Sequence, residues 1–201
     1  LGVVKSTFAD STPMSAVALS VTAVFPDLGS IYAEKTDRTS GIRIDTFDAF
    51  IEGELIGVVG TIQTDIASGE RYVLPDAGWP KHTGGFLLLR ALGVNLRGVG
   101  GGSFGLQQGI FGATGLNNIG LLITAWGRVS EIDGSLTPAW FKMTDDSGNT
   151  AKVMLPSGVP VPVALNDVVT VTGVSSCELS GGNLSRIIRT RKVGDINRVY
   201  P

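Results

Sequence analysis

The chain has 201 residues, 43% hydrophobic and 17% charged, which excludes a disordered polyelectrolyte and leaves room for one domain or two. Its 28 glycines and 7% aromatic content favour turns and extended backbone over helices. The net charge of −2 divides into −3 over residues 1–97 (8 Lys and Arg, 11 Asp and Glu) and +1 over residues 98–201 (8 and 7), so neither half has a marked basic surplus and nucleic acid ranks low among the expected partners.

Residues 1–14 form an N-terminal extension whose Val3, Val4 and Phe8 suit an extended strand seeking an open sheet edge. The chain starts at Leu1, which reads as the mature end left after removal of a secretory leader. Alternating apolar runs then mark strands at Ala16–Phe25, Ile31–Glu34, Gly41–Ile44, Leu55–Gln63, Arg71–Leu74 and Phe86–Leu92, with a short helix expected over Thr46–Glu54. Residues 98–118 are glycine-dense and almost uncharged, and read as a connector. Strand patterning resumes at Leu121–Val129, Ala139–Met143, Ala151–Leu155, Val168–Val174 and Leu184–Arg191. No run approaches the length of apolar chain that spans a membrane.

The two halves repeat each other. An offset of 108 places Ser20-Val21-Thr22 on Arg128-Val129-Ser130 and Ile31–Asp37 on Ala139–Asp145. An offset of 113 places Leu55–Thr61 on Val168–Val174, each followed by a Ser-Gly turn. Five strands with an excursion after the third is the order of an OB barrel. The expected fold is all-β: two tandem OB-like five-stranded barrels, residues 15–97 and 119–201, joined by the Gly-rich connector 98–118.

Gly115–Val129, Gly173–Cys177 and Gly182–Arg191 resemble segments of an OB-like module repeated in large secreted bacterial proteins, and Tyr32-Ala33-Glu34 with Asp37–Ile44 is similar to a hairpin of the same modules. The resemblance implies tandem OB folds and an extracellular setting. Related tandem-OB proteins build extracellular filaments, so it also implies self-assembly. It brings no catalytic residue.

Motifs for chemistry are weak. Gly101-Gly102-Ser103-Phe104-Gly105 matches a nucleophile elbow, but the only histidine, His82, lies in a distant Pro/Gly-flanked turn. Gly100–Gly105 also matches a dinucleotide fingerprint without its βαβ setting or downstream acid. Cys177 has no histidine near it in sequence, and a lone cysteine forms no internal disulfide. No enzyme is expected. Asp37, Asp45, Asp48, Asp145 and Asp146 cluster in turns as candidate Ca2+ ligands, though Asp, Ser and Asn favour turns for their own reasons. Arg186, Arg189, Arg191, Lys192 and Arg198 could line a basic groove, with Trp126, Trp140 or Phe141 as stacking partners.

These readings combine into an extracellular subunit that polymerises with itself by head-to-tail strand addition through Val3, Val4 and Phe8. The first alternative is a secreted module binding a surface glycan through Trp79, Trp126 or Trp140, and the second is single-stranded nucleic-acid binding.

Overall fold

The alternating runs close into two barrels. The computed structural model describes residues 1–133, 135–137 and 139–199. In the first barrel, β1 (Pro13–Phe25), β2 (Ser30–Lys35), β3 (Gly41–Asp45), β4 (Glu54–Thr64) and β5 (Arg71–Pro75) pair in the order β1-β2-β3-β5-β4, and β4 returns to β1. β6 (Lys81–Phe86) adds outside β4. In the second, β8 (Leu122–Asp133), β9 (Trp140–Thr144), β10 (Thr150–Met154), β11 (Val168–Ser180) and β12 (Asn183–Arg189) repeat that order. β7 (Leu92–Gly93) and β13 (Ile196–Arg198) flank β8 and β11. In both barrels the third and fifth strands run parallel, as the OB topology requires. Among the described residues no helix is long and apolar enough to cross a membrane.

The repeat survives at the level of residue pairs. Ser20↔Leu55 in the first barrel recurs as Arg128↔Val168 in the second, at the offsets of 108 and 113. The first strand of each barrel carries a bulge at the same place, between Val21 and Ala23 and between Val129 and Glu131. A bulge there bends a long strand so that it can serve both sides of a closed sheet. The second strands correct the sequence alignment. Ala23 faces Tyr32 whereas Glu131 faces Lys142, so the true offset is 110. The turn before β9 is two residues longer than the turn before β2, and an even slip keeps the same residues facing inward.

Each barrel fills its interior from these alternating positions. Val21, Ile31, Ile42, Ile56, Ile62 and Val73 meet in the first, and Val129, Phe141, Met143, Val153, Val169 and Ile188 in the second. Two glycines mark the tightest crossing in each. A Cβ on Gly60 would lie 2.2 Å from the Leu74 carbonyl oxygen, and one on Gly173 2.5 Å from that of Arg189.

Three local expectations fail for physical reasons. Residues 46–53 form a loop, not a helix, and Glu54 begins β4: the Thr46 hydroxyl accepts from the Asp48 amide, Glu54 accepts from the Ile51 amide, and Phe50 inserts into the core. Residues 87–91 leave the sheet, so the expected Phe86–Leu92 strand is only the end of β6 and the start of β7. The N-terminal strand is a helix, α1 (Gly2–Thr7). Leu1, Val4, Lys5 and Phe8 share its inner face, and this helical spacing outweighs the short Val3-Val4 run that suggested a strand.

The barrels join through a junction that is partly apolar and partly polar. Ala23, Phe25, Tyr32 and Val174 pack together across it. The Tyr32 hydroxyl and the Ser176 hydroxyl, one from each barrel, both donate to the same Glu70 carboxylate oxygen at 2.9 Å. Arg191 reaches from the second barrel to Glu52 (2.8 Å) and to the Thr22 carbonyl (3.2 Å), and Asp195 holds it at 2.8 Å. Lys5 is buried and donates to the carbonyls of Gly41 and Ile119. Gly41 and Gly120 touch backbone to backbone, where a Cβ on Gly41 would sit 2.1 Å from the Gly120 oxygen. Glu34 accepts from the Leu122 amide at 2.5 Å, with Arg38 3.8 Å away.

Burial raises the Glu34 carboxyl from 4.5 to about 7, while the Leu122 amide and Arg38 oppose the shift. Burial likewise lowers the Lys5 ammonium from 10.5 to about 8.

Two outcomes are expected. Gly60→Ala and Gly173→Ala each lower unfolding stability by roughly 1–3 kcal/mol by overpacking, read as a lower urea midpoint. Between about pH 4.5 and 7 the folded state binds more protons than the unfolded one through Glu34, so stability falls as pH rises through that window, by on the order of 3 kcal/mol at most. Urea titrations across this window show the slope, and Glu34→Gln flattens it. Lys5 acts with the opposite sign, between about 8 and 10.5, and leaves that window alone.

Candidate nucleic-acid interface

In OB barrels the exposed face of the second and third strands, with the loops beside it, is where polymers dock. In the second barrel that face is open. A groove of about 550 Å³ runs over β9, β10 and β12, lined by Trp140, Lys142, Thr150, Lys152, Asn183 and Arg186 among others. Strand alternation puts Trp140 and Lys142 on one side of β9, and antiparallel register sets Lys142 opposite Lys152.

The Trp140 ring is the centre of the groove. The Lys142 ammonium lies 5.4 Å from the ring centroid and the Lys152 ammonium 5.0 Å. Both are within cation–π range. Each lysine also has a carboxylate partner, Glu131 at 2.6 Å and Glu178 at 3.1 Å. These pairs are solvent-accessible and therefore weak and exchangeable. Arg186 adds a third cation; burial lowers its pKa, and its guanidinium donates to the Arg97 carbonyl at 3.4 Å. Phe111 forms part of the groove wall, 73% exposed and tied to β12 because its backbone amide donates a hydrogen bond to the Leu184 carbonyl. The arrangement offers aromatic faces for stacking, cations for anionic groups, and the Thr150 hydroxyl and Asn183 amide for hydrogen bonds.

The corresponding face of the first barrel is closed. Strand register equates Tyr32 with Lys142, Arg43 with Lys152 and Tyr72 with Ile187. Tyr32 is 1% exposed and bonded into the junction. Arg43 stacks 4.4 Å from the Tyr72 ring centroid, and Asp45 and Asp65 each pair with it at 2.9 Å. A notch of about 260 Å³ remains there, lined by Tyr32, Arg43, Asp45, Asp65 and Arg189 among others.

Of the basic residues singled out from sequence, Arg186 lines the groove. Arg189 donates to Ser176 at the junction, Arg191 is bonded to Asp195 and Glu52, and Arg198 pairs with Asp167. Phe141 is core, fully buried, and Trp126 lies on β8 outside the groove. Sequence reasoning missed Lys142, Lys152 and Phe111. The first two carried a signal, since Trp140 and Lys142 sit two apart on one strand; Phe111 in an irregular segment carried none.

The candidate calcium ligands are not brought together. Asp37 caps its own turn through Thr39, and these bonds lower its pKa to about 2. Asp45 pairs with Arg43, and Asp48 accompanies Thr46 in the loop. Asp145 accepts from the amides of Ser147 and Asn149 in the other barrel, beside Asp146. Among the described residues no three His, Cys, Asp or Glu side chains are grouped to hold a metal. Ser103 accepts from the Gly109 amide within the connector, while His82 sits on β6 beside Glu54 and Phe50. Cys177 is buried, and burial raises its thiol pKa above the ordinary value. Of the expected donor residues, Val4 and Phe8 pack on the first barrel's own core and Val3 faces solvent.

No protein-family model matches the chain, and no curated protein sequence matches it. Solved structures of similar shape exist at low identity. The tetrameric p202 HIN2 is 16% identical over 98% of this chain and 98% of that one, with a TM-score of 0.43. A murine DNA-binding protein bound with double-stranded DNA is 9% identical over 94% and 100%, at 0.45. The Ifi202 HINa domain in complex with 20-bp double-stranded DNA is 12% identical over 95% and 97%, at 0.40.

Several expectations are corrected here. The self-polymerising filament subunit is not retained: its donor segment is a helix folded onto its own barrel. The low rank given to nucleic acid is withdrawn on the geometry of the groove itself, where Lys142 and Lys152 flank the Trp140 ring, and the extracellular setting, which was tied to the filament resemblance, is withdrawn with the donor strand.

Proposed function

We propose that the chain binds single-stranded nucleic acid in the groove of the second barrel. The observation that carries this is the Trp140 ring with two ammonium groups within 5.4 Å of its centroid, on the face that OB barrels use for polymers. A base stacks on Trp140 only if its own face is free, which favours an unpaired strand over a duplex. Phosphates on either side of that base would draw Lys142 and Lys152 from their carboxylates, an exchange of one exposed ion pair for another that costs little. Thr150, Asn183 and Ser185 line the same groove and can reach base edges or sugar hydroxyls.

Fluorescence anisotropy with a labelled oligothymidylate tests the proposal. Trp140→Leu should weaken binding about tenfold or more, the stacking contribution of one base. Lys142→Gln and Lys152→Gln should each weaken binding and flatten the dependence of log K on log salt by about 0.7. An oligonucleotide that fails to bind, while a neutral glycan binds and loses affinity in Trp140→Leu, would replace this reading with the glycan one.

A further inference from the structure

We infer, resting on that proposed single-strand site, that the tandem offers one strand-binding face and not two, because the second barrel occupies the matching face of the first. The first barrel carries aromatic and cationic side chains on the equivalent face, although Ser30 stands where Trp140 stands. Tyr32 stands where Lys142 stands, and Arg43 stacks on Tyr72 where Lys152 lies beside Ile187. Those side chains are committed elsewhere. Tyr32 packs on Val174 and donates to Glu70, which Ser176 of the second barrel also approaches. Arg43 is neutralised by two carboxylates, and the notch above it is overhung by Arg189 from β12. A phosphate entering there would meet Asp45 and Asp65 at the point where the second barrel's groove presents Lys142 and Lys152. The ligand is therefore a strand one barrel long, about 4–16 nucleotides, and a longer strand gains nothing from the second copy of the fold.

Calorimetric titration of the full chain with an oligothymidylate of about eight nucleotides should give one equivalent. Affinity should stop rising with length once a single barrel is filled. Tyr72→Leu should leave the affinity within about twofold of the parent, while Trp140→Leu loses it. Hydrogen exchange should slow on binding in Trp140–Thr144 and Thr150–Met154 and stay unchanged in Ser30–Lys35. Two equivalents per chain, or a loss in Tyr72→Leu as large as that in Trp140→Leu, overturns this inference and leaves the single-strand reading standing. No binding to either short or long strands removes the single-strand reading, and the inference with it.

Discussion

The buried carboxylate of Glu70 is the constraint on which the arrangement of the molecule turns. It is 1% exposed, and one of its oxygens accepts hydroxyl hydrogens from both barrels, Tyr32 on one side and Ser176 on the other. A buried acceptor is tolerable only if its donors stay in place, and two donors from two barrels are in place only in one relative orientation. Apolar packing of Phe25, Tyr32 and Val174 supplies area but little direction; the shared oxygen supplies direction. Arg191 and Lys5 act in the same sense, Arg191 reaching Glu52 and the Thr22 carbonyl and Lys5 the Ile119 carbonyl across the joint. The glycine contact of Gly41 and Gly120 then lets the backbones close to the distance these bonds need.

That joint decides which surface is left for a ligand. Two copies of one fold begin with two copies of one face. Docking uses one up, and residues of equal register differ in chemistry accordingly: tyrosine and a neutralised arginine where the face is covered, lysines around a tryptophan where it is open. The connector belongs to the same division. It does not swing as a tether: the buried Gln107 accepts from the Arg71 amide and donates to the Gly69 carbonyl, and Ile110 packs with Cys177 and Leu184, which sets Phe111 at the groove wall.

Most of the barrel architecture was legible because it depends on period-two alternation and on repetition, and both are local or copied. Offsets of 108 and 113 carry Leu19↔Ile56 and Ser20↔Leu55 onto Gly127↔Val169 and Arg128↔Val168, and the match ends at the first barrel's bulge between Ala16 and Leu19. The second strand was placed two residues off because an even slip leaves the inward pattern unchanged, so the pattern could not detect it. Tyr32 was thereby matched to Trp140 when its counterpart is Lys142. The helix at Gly2–Thr7 was missed because six residues show too little periodicity to separate a helix from a strand. Glu70, Gln107 and Phe111 were invisible for a different reason: each owes its role to a partner more than 30 residues away, and no local pattern encodes such a pairing.

The same distinction explains why net charge misled. A sum over the chain counts Asp45 and Asp65 against a strand, although both are held by Arg43 at the closed face. A ligand senses charges within about one screening length, roughly 8 Å in physiological salt. In the groove that neighbourhood holds Lys142, Lys152 and Arg186 beside an aromatic ring, with Glu131 and Glu178 as exchangeable partners of the two lysines. The field at a binding face is set by the few charges folding places beside it, here three cations against two solvent-accessible carboxylates, so a chain of net −2 can present a groove with a local cationic excess.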